Sequence, residues 1–89
     1  MEVVINGNAR IVVRTESGSE YELRKEGDQI AFRKGVFLEG VVTKFNKPIA
    51  LGGTLDINFR KYNMYGQLAE ENDIMFMRST RIISIWMAL

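Results

Sequence analysis

The sequence predicts an all-β fold, a small antiparallel barrel or sandwich of seven to eight short strands. Three observations lead there. Eight glycines and one proline cut the 89 residues into short pieces. Those pieces are rich in Val, Ile, Phe, Tyr and Thr, side chains that suit a pleated, half-buried surface. No window carries the 3.6-residue apolar period of an amphipathic helix. At this length the chain is expected to form one domain over 1–89, because two halves could not each bury a core.

The elements follow in order. Glu2–Ile5 and Ala9–Thr15 flank Asn6-Gly7-Asn8, and an Asn-Gly step between apolar runs predicts a hairpin. Glu16-Ser17-Gly18-Ser19 is the next turn. Glu20–Arg24 alternates, with Tyr21 and Leu23 inward and charges outward. Lys25-Glu26-Gly27-Asp28 turns the chain again, and Gln29–Lys34 places Ile30 and Phe32 inward. Val36–Phe45 reads as a longer strand, in which Gly40 marks a bulge or sharp bend. Asn46-Lys47-Pro48 is a loop, followed by Ile49-Ala50-Leu51 and Gly52-Gly53. Thr54–Arg60 alternates most cleanly, with Leu55, Ile57 and Phe59 inward. Lys61–Asp73 is irregular, with one helical turn expected near Gln67–Glu71. Ile74–Arg78 and Thr80–Met87 complete the set as two further strands. A closed barrel leaves no unpaired strand edge, which favours closure.

Composition narrows the chemistry. Cysteine and histidine are both absent, so disulfides, Cys/His zinc sites, thiol nucleophiles and histidine bases are excluded. The net charge of +1 argues against coating nucleic acid through bulk charge. The beginning of the sequence lacks the pattern of a secretory signal. The longest apolar run, Ile82–Leu89, is too short to span a bilayer. A cytoplasmic protein without a cofactor or membrane partner is expected.

Several residue sets carry candidate chemistry. Glu20 and Glu22 share one strand face at acid/base spacing, but alternation makes that face the solvated one. Glu70, Glu71 and Asp73 offer oxygen ligands without the spacing of a calcium loop. Arg60, Lys61, Tyr62 and Tyr65 lie on a loop following a regular strand, where cations pair with phosphate and tyrosines stack on a base. Arg78 and Arg81 bracket Ser79 and Thr80, and guanidinium forks with hydroxyls also suit phosphate oxygens. Ser17-Gly18-Ser19 has the makings of a small anion nest. No phosphate-loop or dinucleotide pattern occurs.

The end of the sequence is apolar on both strand faces. Alternation puts Ile82, Ser84 and Trp86 on one face and Ile83, Ile85 and Met87 on the other. Ile74-Met75-Phe76-Met77 shows the same two-sided character. A single-layer barrel has one inner face to offer, so the other needs cover from outside. That predicts a homo-oligomer interface built from Met75, Met77, Ile83, Ile85, Trp86 and Met87.

Val13-Arg14-Thr15-Glu16-Ser17-Gly18-Ser19-Glu20-Tyr21-Glu22-Leu23 resembles the T-x-SGS-x-YEL opening of small uncharacterised proteins of phages, prophages and some bacteria. Their Thr/Ser-rich turn and short apolar closing strand are similar to Ser79-Thr80-Arg81-Ile82-Ile83-Ser84-Ile85 here. Pro48-Ile49 with Gly53 and Leu55 looks like their middle section. The resemblance covers residues 13–85 and departs at the Met/Tyr-rich loop and the apolar tail. It implies a viral or mobile-element origin and no particular activity. The expected function is a non-enzymatic, oligomeric binding module that captures an anionic, nucleotide-like ligand, with an anti-defence role by analogy. The alternative is a small virion or assembly protein, or a direct inhibitor of a host protein, docking through its apolar end.

Overall fold

A computed structural model describes Ile5 and residues 10–36 and 38–88. The expected strand Glu2–Ile5 and its hairpin at Asn6-Gly7-Asn8 lie outside the described residues, Ile5 apart. Six strands run in order: β1 (Arg10–Thr15), β2 (Glu20–Glu26), β3 (Gln29–Lys34), β4 (Leu38–Phe45), β5 (Thr54–Lys61) and β6 (Met75–Ala88). Each pairs antiparallel with the next, and β6 pairs back onto β1, giving a closed barrel. The choice between barrel and sandwich is thereby decided.

Alternation fills the interior. Ile11 and Val13 of β1, Tyr21 and Leu23 of β2, Phe32 of β3, and Leu55, Ile57 and Phe59 of β5 are all buried in one core. Ile82 of β6 and Ile49 of the β4–β5 loop join them. Phe32 and Phe59 meet edge to face, with centroids 4.6 Å apart. Gly40 stands opposite both Phe32 and Lys61. A Cβ there would collide with the Arg60 carbonyl oxygen and meet the Phe32 ring at 2.9 Å. Glycine is therefore required by close approach, and the extra residue of β4 lies farther on, between Val42 and Lys44.

Three sequence expectations need correction. Ile74–Arg78 and Thr80–Met87 are one 14-residue strand, so the count among the described residues is six. Arg78-Ser79-Thr80-Arg81 is consequently a bulge inside β6 and no turn: Asp56 faces Arg78 and Thr54 faces Arg81, leaving one extra residue on β6. The Leu55 N–H, displaced from a regular ladder, donates to the buried Ser79 Oγ at 2.8 Å. The helical turn expected near Gln67–Glu71 is a Tyr62–Leu68 bridge followed by a turn closed from Asp73 N–H to Glu70 O.

A second bulge on β6 changes its faces. Arg14 pairs with Ser84 and Thr15 with Ile82, so Ile83 is the inserted residue. Beyond it, Ile85 pairs with buried Val13 and packs on the core, and Met87 pairs with buried Ile11. Ile82, Ile85 and Met87 therefore share the inner side. Ile83 and Trp86 turn outward, contrary to strict alternation.

Candidate functional site

The cations expected to gather around one anion are spread along the barrel. Arg60 donates through Nε, at 2.9 Å, and through a terminal nitrogen to the Ala69 carbonyl, tying the β5–β6 loop to β5. Arg78 pairs with Asp56 at 3.0 Å, and Arg81 with Glu16 at 3.2 Å. Arg78 stands opposite Asp56, four residues from Arg60 along β5, a separation of roughly 13 Å at strand rise. Arg81, opposite Thr54, is farther still. The backbone positions of the three arginines are thus spread along β5 from Thr54 to Arg60.

Lys61 and Tyr62 do share a cavity, of about 660 Å³, between the loop and the ends of β5 and β6. Asn63, Gln67, Glu70, Asp73 and Met75 contribute to its lining. The Asn63 Oδ1 accepts from the Tyr65 and Gln67 backbone N–H groups, which fixes the loop. Tyr65 itself points into solvent at the loop tip. Tyr62 also borders a second cavity, of about 330 Å³, on the outer face of β2, β3 and β4. Arg24 and Arg33 line it, two cations that sequence reasoning did not select. Their alternation in β2 and β3 marked them as outward, but only strand pairing brings them together. Carboxylates outnumber cations in both linings: Glu70 and Asp73 against Lys61, and Glu22, Glu26 and Glu39 against Arg24 and Arg33.

Of Glu20 and Glu22, only Glu22 is held by arginines. Glu22 accepts from Arg10 at 3.0 Å and from Arg33 at 3.3 Å. Partial burial opposes the charged form, but these two guanidinium hydrogen bonds outweigh it and hold the Glu22 carboxyl below its ordinary range. The same bond raises the Arg33 guanidinium. At Asp56, desolvation is likewise outweighed by hydrogen bonds from Arg78 and Asn46, which lower its carboxyl. Among the described residues no cluster of three or more acidic side chains is arranged to hold a metal ion.

The Ser17-Gly18-Ser19 turn and the Ser79-Thr80 bulge meet in space. Thr80 Oγ1 accepts the Ser17 N–H and donates to Ser17 Oγ, each at 3.2 Å. Ser17 Oγ donates to Ser19 Oγ at 3.3 Å and lies 3.1 Å from Thr15 Oγ1. The Gly18 N–H donates to Thr15 O, with Gly18 at φ +88°. The Ser17 and Gly18 amides of the expected anion nest are therefore engaged within the chain. The hydroxyl cluster fastens the β1–β2 turn to β6 at the barrel seam.

The apolar end of the chain is the other candidate surface. Among the described residues, five of the nine exposed large hydrophobics lie on β6: Met75 at 44%, Phe76 at 76%, Ile83 at 52%, Trp86 at 41% and Met87 at 61% exposure. Trp86 stands directly opposite half-buried Val12 of β1. Of the expected interface residues, Met77 and Ile85 instead pack against the core, while Ile83 and Trp86 face outward. No helix among the described residues is long and apolar enough to cross a membrane. No protein-family model matches the sequence, and no match is found among curated proteins or solved structures.

Proposed function

We propose that this chain is a non-enzymatic assembly module that associates with copies of itself through the outer face of β6. The observation that carries this reading is the concentration of exposed Met, Phe, Ile and Trp on one strand of a barrel that already has a full core. Each such side chain left in water costs about 1.5–3 kcal/mol relative to burial. Aromatic residues and Met are also the types enriched in protein interfaces. Of the five, Phe76, Ile83 and Trp86 lie on the outer side, Ile83 and Trp86 flanking Ser84, while Met75 and Met87 stand opposite buried Phe59 and Ile11 near the two ends of the strand. With a net charge of +1, copies meet little mutual repulsion. Replacing Ile83 with Lys and Trp86 with Glu should leave the barrel folded and the chain monomeric, as read by native mass spectrometry. Unchanged assembly in that double variant would remove β6 from the interface.

Capture of an anionic, nucleotide-like ligand is the second reading. The shared cavity of Lys61 and Tyr62 favours it, and the acidic balance of that cavity weighs against it. The same spectra test it. Non-protein mass retained by gently purified protein supports capture, and bare protein mass opposes it.

A further inference from the structure

The surface around Ile83 and Trp86 is bordered by a cation and an anion that face each other across β1 and β2 without closing an ion pair. Arg14 lies on β1 between Ser84 of β6 and Glu20 of β2, each in direct register. Adjacent strands are about 4.8 Å apart, so the Arg14–Glu20 row borders the apolar patch. Both residues are exposed, and among the described residues neither joins an ion pair. The neighbouring charges are committed: Glu22 to Arg10 and Arg33, Arg81 to Glu16.

In a two-fold contact the same patch meets itself, so a contact from residue i to residue j is repeated from j to i. A cation and an anion side by side at the edge of an apolar patch are self-complementary under that symmetry. We infer that the occupant of this face is a second copy of the chain, related by a two-fold axis, with Arg14 meeting the partner's Glu20 and Glu20 meeting the partner's Arg14. The inference rests on the self-assembly reading above. It adds the partner's orientation and the pair that selects it, since rim charges set register and reject wrong partners.

Charge reversal tests it in trans. Arg14→Glu alone gives two acidic residues on the rim, and Glu20→Arg alone gives two basic ones. Each variant should repel its own copy and lose dimerisation by at least about tenfold. Mixed one to one, the two should form a heterodimer, because both inter-copy contacts then join opposite charges. The double variant Arg14→Glu, Glu20→Arg should dimerise like the unaltered chain. Circular dichroism reports that each variant is folded; if a single variant is not, the double variant decides. The inference is overturned if folded single variants dimerise normally, if their mixture stays monomeric, or if the double variant fails to assemble. Those results leave the self-assembly reading standing when the unaltered chain is oligomeric. A monomeric unaltered chain removes both.

Discussion

At the scale of single residues, Gly40 and Glu22 show how different forces hold the barrel. Gly40 faces a backbone carbonyl and an aromatic ring, and neither has room to retreat because both belong to paired, packed strands. Gly40→Ala should cost ~1–3 kcal/mol through overpacking. The measurement is a lower urea midpoint with an unchanged slope. Glu22 acts through charge. Its folded-state carboxyl is held below the ordinary value of 4.5, so its stabilisation is present above that pH and is lost as pH falls through the folded value. Glu22→Gln should cost ~1 kcal/mol near neutrality and flatten the acid limb of the stability curve. A variant whose curve runs parallel to the original through the acid range would contradict this assignment.

At the scale of elements, β6 is where sequence and structure part. The buried alternation of β2, β3 and β5 was legible because nothing interrupts it: Tyr21 and Leu23, Ile30 and Phe32, and Leu55, Ile57 and Phe59 all face inward as the period predicts. In β6 two inserted residues shift that period, and neither bulge is marked by Gly or Pro. Ser79 and Thr80 therefore look like turn residues. Their hydroxyls instead replace hydrogen bonds that the bulge and the adjoining turn would otherwise lack. Ser79→Ala should leave the Leu55 N–H unpaired in a buried site and cost ~1–3 kcal/mol, measured by chemical denaturation. The candidate site was legible to the same partial degree. Lys61 and Tyr62 stay together because they are adjacent in sequence. Arg60 and Arg78 separate because register, invisible in a single sequence, places Arg78 four residues along β5. The excess of apolar residues in β6 was plain from composition, but the bulge at Ile83 decides that Ile83 and Trp86 face out while Ile85 faces in.

At the scale of the whole molecule, the barrel satisfies its strand edges and its core within one copy, and β6 remains the surface out of balance. The expected ligand cations are mostly drawn into ion pairs or loop contacts, while Phe76, Ile83 and Trp86 stay exposed on β6. Self-association answers the second fact without requiring the first to change. The most direct test is sedimentation velocity on the full chain over a range of concentrations. The expected result is a species of at least twice the 10.2 kDa chain mass that dissociates on dilution or on the Ile83→Lys, Trp86→Glu double substitution. A single 10.2 kDa species up to high micromolar concentration would contradict it.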